Sequence, residues 1–370
     1  MRKNWEYKKL GEMCDIYQPK TISTDSLYEK GKYPVYGANG IIGRYNEYNH
    51  EATEILLTCR GATCGRINIS VPYSWINGNA MVIHRKSDAL HFDFLKYSMM
   101  NIDYSLIITG AAQPQITRQK LAPTIIPIPP KPTQLAIVAE LDKINELIQL
   151  KKQQLKDYDQ LAQSIFYEMF GDPVENEKGW EVKRLGDISE FKNGLNFSKS
   201  DTGFSYKFLG VSDFQDKHII HSSDLSNIHL SDKISEDYHL KKGDIVFVRS
   251  NGSKELVGRN VLLNISEPTT FSGFCIRCRL VDCRTNIVYL SYLLKSATIR
   301  PLITNNGRGC NISNVNQKIL SMLSVPLPPL PLQQQFAARI EAIERQKQQV
   351  SETIKDLETL LASRMQYWFD

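Results

Sequence analysis

The amino-acid sequence predicts a duplicated α/β (α+β) chain. Two globular domains are each followed by a long α-helix, and the two helices pair as an antiparallel coiled coil with pseudo-two-fold symmetry. Three observations predict this. Landmark residues recur in the same order in both halves, a proline-rich block closes each copy, and a helical apolar periodicity follows each block. At 370 residues the chain is long enough for two or more domains, and each half can bury its own core.

The repeat begins at Trp5-Glu6-x-Lys8-x-Leu10-Gly11-Glu12, answered by Trp180-Glu181-x-Lys183-x-Leu185-Gly186-Asp187. Glu54-Ile55-Leu56 is answered by Asp244-Ile245-Val246, and Gly65-Arg66 by Gly258-Arg259. Phe94-Leu95-x-Tyr97 matches Tyr289-Leu290-x-Tyr292, and Gln115-Ile116-Thr117 matches Asn311-Ile312-Ser313. Order and duplication carry the inference, since each motif alone is short. Gly37 and Glu54 stand 17 positions apart, whereas their counterparts Gly210 and Asp244 stand 34 apart. The second copy therefore holds an insertion within 211–243. Two copies of one scaffold with different ligand specificity would diverge in this way, and a neutral surface-loop insertion is the plainer alternative.

Within the globular parts, 54–59 and 244–248 read as buried strands, and 81–83 and 274–276 read as strands. Phe92–Met100 and 287–296 read as helices with aromatics on one side. Gly-rich turns separate them, and Asn39-Gly40 is read as a tight turn. Each copy then reaches its proline block, Ile126-Pro127-Ile128-Pro129-Pro130-x-Pro132-x-Gln134 and Val325-Pro326-Leu327-Pro328-Pro329-x-Pro331-x-Gln333, where fixed φ angles hold the chain extended. Past it, apolar residues recur in steps of three and four: Leu141, Ile144, Ile148, Leu155, Tyr158, Ala162, Ile165 and Met169, interrupted by Lys151. In the second copy they are Ile340, Ile343, Val350, Ile354, Leu357, Leu361 and Trp368, interrupted by Lys347 and Arg364. This is a coiled-coil seam. Helices over 133–170 and 332–369 are each ~55 Å long, and Gly171-Asp172-Pro173 ends the first. The domain boundaries follow: 1–130, a helix region 131–172, then 173–330 and a second helix region 331–370.

Composition narrows the function classes. The net charge is +5 and the pI about 8.6, which permits a polyanion partner without demanding one. No apolar run spans a bilayer and the charged start lacks a signal peptide, so the reading is a cytoplasmic chain with no membrane partner and its seven cysteines reduced. Cys275-x-x-Cys278 sits in an apolar strand whose counterpart has Val82 and Arg85, and the cluster His218, His221, His229 and His239 reads as solvated loop, so neither is taken as a metal site. There is no phosphate-binding loop, dinucleotide fingerprint or Asp/Asn-Pro-Pro-Tyr/Phe segment. No catalytic residue, metal or cofactor is expected.

The ordered set formed by Trp-Glu-x-x-x-Leu-Gly, the turn Tyr36–Gly40, Arg60-Gly61, the segment Gly110–Ile116, the Pro-Pro-x-x-x-Gln block and a long helix resembles the specificity subunit of type I restriction–modification systems, over nearly the whole chain and twice. The second copy departs from it, with Leu209-Gly210-Val211-Ser212-Asp213 in place of the tyrosine–glycine turn, and Gly309 and Asn311 in place of Gln113 and Gln115. The resemblance implies two target recognition domains. Each reads one half of a bipartite asymmetric site in double-stranded DNA, ~34–36 Å apart if both dock on one face. It further implies helices that set the gap and dock two DNA-methyltransferase subunits, with restriction/translocase subunits joining that core and no catalysis by the chain itself. Residue chemistry suited to bases and phosphates then marks Arg44, Arg60, Arg66, Gln113, Gln115 and Arg118 in the first domain. In the second it marks Lys192, Asn193, Arg249, Asn251, Arg259, Arg308 and Asn311. A stand-alone nuclease or methyltransferase with an unfamiliar site, and a protein-only assembly scaffold, are the rival readings.

Overall fold

A computed structural model of the chain describes residues 4–110, 113–196, 203–214, 217–253, 255–304 and 314–370. It divides into two compact units, Met1–Lys152 with Glu352–Asp370, and Gln153–Ser351. The first unit is discontinuous in sequence because the end of the second long helix belongs to it.

In the first unit, β1 (Glu6–Lys9) runs antiparallel to β9 (Ile125–Ile128), and the short helix α1 (Leu10–Met13) turns the chain into β2 (Cys14–Tyr17). The main sheet has the order β2-β8-β5-β6, with β5 at Ile55–Thr58, β6 at Ile67–Ile69 and β8 at Ala80–Arg85, and every pairing antiparallel. A second sheet has the order β4-β3-β7, from β3 (Tyr33–Gly37), β4 (Gly40–Tyr45) and β7 (Trp75–Ile76). The unbroken apolar run of β5 follows from burial on both faces. Ile55 and Leu57 pack into the core of helix α2 (Phe92–Met100) with Phe94 and Leu95. Leu56 turns the other way, toward Tyr36 and Ile76. Helix α3 (Arg118–Leu121) then leads back to β9.

The second unit repeats the plan. Strand β10 (Glu181–Arg184) pairs with β19 (Ser324–Leu327), and α5 (Leu185–Ile188) leads into β11 (Ser189–Asn193). The main sheet has the order β11-β18-β15-β16-β13, with β13 at Ile219–His221, β15 at Ile245–Val248, β16 at Asn260–Asn264 and β18 at Cys275–Leu280. The second sheet is β14-β12-β17: Ser226–Leu230, Phe204–Leu209 and Thr269–Phe271. Helices α6 (Ile287–Lys295), α7 (Ile299–Thr304) and α8 (Gln317–Ser321) complete it. Main-chain bonds recur at matching positions. The Gly65 amide donates to the Thr58 carbonyl as Gly258 does to Val248, and Leu10 to Thr124 as Leu185 does to Leu323.

The signature residues turn out to be packing devices. A Cβ on Gly11 would lie 3.0 Å from the Cβ of Ala122, and one on Gly186 2.8 Å from the Cβ of Ser321, so only glycine lets these turns close. Trp5 stacks on Trp368 at 6.4 Å within the first unit. Trp180 in the second donates its indole N–H to the Phe170 carbonyl at 3.0 Å, satisfying a helix end.

The long helices are α4 (Lys131–Phe170) and α9 (Leu330–Phe369). Each begins two residues before the expected start, with Pro132 and Pro331 inside its first turn, where no helical N–H is needed. Gln134 and Gln333, fully buried, lock these starts. The Gln333 side-chain oxygen accepts from the Asn286 amide at 2.7 Å, and its NH₂ donates to the carbonyls of Arg284 and Pro328 at 3.2 and 2.7 Å. Gln134 does the same with His91, Ala89 and Pro129.

Within the first unit, Glu140 is gripped by the Arg364 guanidinium and by the Trp368 indole at 3.0 Å, and Lys152 pairs with Glu358 at 2.8 Å. Within the second, Asp159 pairs with Lys347 at 2.8 Å, and Phe166 meets Phe336 edge-on at 5.7 Å. In both cases partner numbers fall along α9 as they rise along α4. The helices are also core elements. Phe166, Phe170 and Phe336 share a cluster with Tyr289 and Leu290 of α6, and Phe369 packs on Phe94 at 5.3 Å. Among the described residues no helix is long and apolar enough to cross a membrane.

Candidate nucleic-acid interface

In the first unit three turns meet along one edge. The β3–β4 hairpin closes through Ala38 and Asn39, with Gly40 at φ +116°, a backbone conformation that suits glycine. Its tip is tied down from β5, β6 and the loop between them. The Asn39 side-chain oxygen accepts from the Thr63 hydroxyl at 2.6 Å, and the Ala38 carbonyl accepts from the Asn68 amide at 3.3 Å and from the Thr58 hydroxyl. That loop is bonded in turn to the third segment. The Gly61 amide donates to the Pro114 carbonyl at 3.0 Å, the Ile116 amide to Cys59, and Arg60 stands opposite Gln115.

The structure thus brings Arg60, Gln113 and Gln115 together, with Arg66 at the far end of the Arg60 loop. Arg60, Arg66 and Gln113 are exposed and Gln115 half-buried. The segments 37–46, 58–73 and 104–133 contain no Asp or Glu. Electrostatically the edge suits an anion. Two predicted residues fall elsewhere. The Arg44 guanidinium is spent on the carbonyls of Gly31 and Lys32, at 2.6 and 2.8 Å, stapling the hairpin to the preceding loop. Arg118 instead lines a groove with Lys9, Glu12 and Ala122. The threonines holding the tip were not singled out from the sequence. Their signal is a polar residue, Thr58, closing the apolar strand β5 beside a Gly-rich turn.

The second unit fills the corresponding place differently. Its equivalents of β3 and β4 are β12 and β14, joined by residues 210–225 rather than by two residues. Part of that inserted stretch is structural: β13 adds a fifth strand, parallel to β16, at the sheet edge. Nor is His218 a solvated loop histidine. It stacks on Tyr292 at 5.8 Å, and its carbonyl accepts from the Lys295 ammonium at 2.9 Å. The neighbouring charge of Lys295, burial and Lys347 push its pKa down to about 2, so the ring is neutral.

Among the predicted residues here, Lys192 is committed to Asp237 at 3.0 Å and lies over the Tyr238 ring. The Asn193 oxygen accepts from Gln317 at 3.0 Å. The Asn251 oxygen accepts from the Ser253 amide, shaping its own turn, and the Arg259 guanidinium donates to the Glu255 carbonyl at 3.1 Å. Arg249 is exposed, and its carbonyl accepts from Val315 as that of Cys59 does from Ile116. Arg308 and Asn311 lie outside the described residues. Cys275 and Cys278 are buried in β18, and desolvation pushes both thiols up to about 12, which keeps them protonated.

The family model for the type I restriction modification DNA specificity domain matches residues 2–157 and again 177–359. The chain is 26% identical over 320 residues to the type I restriction enzyme MjaIX specificity subunit of Methanocaldococcus jannaschii, covering 78% of this chain and 70% of that protein. To the MjaVIII specificity subunit of the same organism it is 21% identical over 399 residues, covering 97% and 92%. Its fold is similar to the crystal structure of a type I restriction-modification S subunit from M. genitalium, with a TM-score of 0.54, 16% identity and 99% and 96% of the two chains covered.

Proposed function

The chain belongs to the type I restriction–modification DNA specificity domain family, and on that premise we propose how its parts divide the work. The globular part of each unit is a target recognition domain, 1–130 and 173–330, and reads one half of a bipartite asymmetric site in double-stranded DNA. Helices α4 and α9 form an antiparallel coiled coil that relates the domains by a pseudo-two-fold and sets the gap between half-sites. At 1.5 Å per residue, 40-residue helices reach ~60 Å, enough to bridge one turn of duplex. The helices also dock two methyltransferase subunits, and restriction/translocase subunits join the assembly. The chain carries out no reaction itself and works in the cytoplasm.

The observation that carries this reading is a framework repeated bond for bond whose corresponding edges differ. A shared scaffold places two readers, and different loops give them different targets. The opposite running of the side-chain contacts along α4 and α9 within each unit supports the coiled coil.

The test is a chimera in which residues 1–130 are replaced by those of a related chain, co-expressed with its methyltransferase subunits, followed by mapping of methylated adenines across the host genome. One half of the methylated motif is expected to change while the other half and the gap stay fixed. An unchanged motif would favour a protein-only scaffold. Methyl transfer or DNA cleavage by the purified chain alone would show a catalyst instead.

A further inference from the structure

Strand β4 carries two consecutive isoleucines after Gly40. The register with β3 shifts there, Tyr36 standing opposite Ile41 and Val35 opposite Gly43, so Ile42 is the extra residue of a β-bulge and the strict alternation of faces is broken. Both side chains keep much of their surface in solvent: Ile41 is 60% exposed, and Ile42, which lies over Gly37, 44%. They stand beside the tip of a two-residue hairpin, and the three bonds to Asn39 and Ala38 described above hold that tip still. Around it, Arg60 and Arg66 make no side-chain hydrogen bond or ion pair among the described residues. No carboxylate occurs in the three segments that build the edge.

β7 pairs with β3 only at Val35 and Tyr36, so the tip of the β3–β4 hairpin extends past it as two strands. An exposed apolar pair there, with the exposed guanidiniums of Arg60 and Arg66 in the loop that holds the tip, fits one kind of polyanion surface. The major groove of B-DNA admits a two-stranded β-ribbon, and the one apolar group its bases display there is the C5-methyl of thymine. We propose that the β3–β4 hairpin is a thymine-reading finger, with Ile41 and Ile42 receiving thymine methyl groups in the half-site read by the first domain. Arg60 and Gln113 flank them on phosphate and base edge. Among its described residues the second unit has no such two-residue hairpin, since a longer connection joins β12 to β14, so the methyl dependence belongs to one half-site only. The inference rests on the DNA-reading role proposed above.

The test uses the full chain assembled with its methyltransferase subunits and the motif found by methylation mapping, with half-sites assigned by the chimera. Duplexes carry deoxyuridine for thymidine at one position at a time, which removes only the methyl, and binding is compared by competition at fixed salt. At one or more thymines of the first-domain half-site, deoxyuridine is expected to weaken binding roughly four-fold, the worth of one buried methyl. In Ile41→Ala or Ile42→Ala, or in the double variant, thymidine and deoxyuridine should bind alike at that position, while substitutions in the other half-site act as in the parent chain. Both side chains are exposed, so the variants should melt with the parent, and a melting scan verifies it.

A first half-site without thymine, indifference to deoxyuridine throughout it, or a four-fold effect that persists in the double variant overturns the proposal. So does loss of methyltransferase assembly in the double variant with methyl sensitivity intact, which would make the pair a protein contact. Equal binding to unrelated duplexes by the parent complex is a separate result, and it removes the DNA-reading role beneath the proposal.

Discussion

Gln333 offers the sharpest test of how the scaffold is held. Replacing it with Met keeps length and flexibility but removes three bonds from a fully buried position. The Asn286 amide is left without its partner, and the carbonyls of Arg284 and Pro328 each lose a donor. An orphaned buried polar group costs about 1–3 kcal/mol, and carbonyls with a second lone pair stand at the low end. The sum is about 3–5 kcal/mol, a large share of a domain's stability. The consequence is local first, because Asn286 caps α6 with its own side chain, accepting from Val288 and Tyr289. Tyr289 in turn carries the packing of Phe170 at 4.6 Å. Urea unfolding, with hydrogen exchange read at the Asn286 amide, measures both effects. Gln134→Met should cost a similar amount in the other unit, and the two losses should add, since the sites share no partner. Gln333→Glu separates bonding from packing, because its carboxyl still accepts from Asn286 but can donate to one carbonyl at most, and only when protonated. If Gln333→Glu were as stable as the parent, the two donated bonds would be worthless and the lock argument wrong.

Three further outcomes follow from the structure. Gly186→Ala forces a Cβ to 2.8 Å from the Cβ of Ser321 and 3.1 Å from its carbonyl oxygen; it should cost about 1–3 kcal/mol and lower the melting temperature more than Gly11→Ala. Lys295, beside Asp159, Glu344, Lys347 and the His218 carbonyl, has its pKa lowered by burial from 10.5 to about 7. Between those values the unfolded chain holds a proton that the folded chain has released, so stability climbs as pH rises through that window. Lys295→Met should flatten the climb in urea titrations run at a series of pH values. With a net charge of only +5, the purified chain should bind a duplex carrying the mapped site weakly. Assembly with methyltransferase subunits should tighten binding and steepen its salt dependence, whereas tight specific binding by the lone chain, measured by filter titration, would refute this.

Legibility in the sequence tracked how local the causes are. The buried strands showed through because β5 and β15 are apolar without alternation, and both are packed on two faces. The long helices showed through their spacing, though each starts two residues early because proline tolerates a first turn. Hidden were the partners of individual polar groups. Arg44, Lys192 and Arg259 have the chemistry of DNA contacts, yet they are committed to carbonyls or an aspartate brought close only by the fold. His218 looked like a loop histidine because its neighbours Tyr292 and Lys295 lie more than 70 positions away. Phe166 and Phe336 keep the three-and-four spacing of the seam, four positions from Ala162 and Ile340, and their further packing against α6 was not legible.

The two units differ most where the scaffold leaves the chain freest. Between β3 and β4 the connection is two residues, held by the Ala38 carbonyl and the Asn39 side-chain oxygen, with Ile41 and Ile42 exposed beside it. Between β12 and β14 the same slot receives 16 residues. These form an edge strand and send His218 back against α6, beside Lys347 of α9. A longer loop ordered this way loses less conformational freedom on binding than a floppy one. Among the described residues one unit closes this edge with a short hairpin and the other pairs an added strand to its main sheet. A duplicated reader needs both edges held. If its edges were soft, the two half-sites would be read with unequal cost of ordering, and a fixed gap between them could not be enforced by the helices alone.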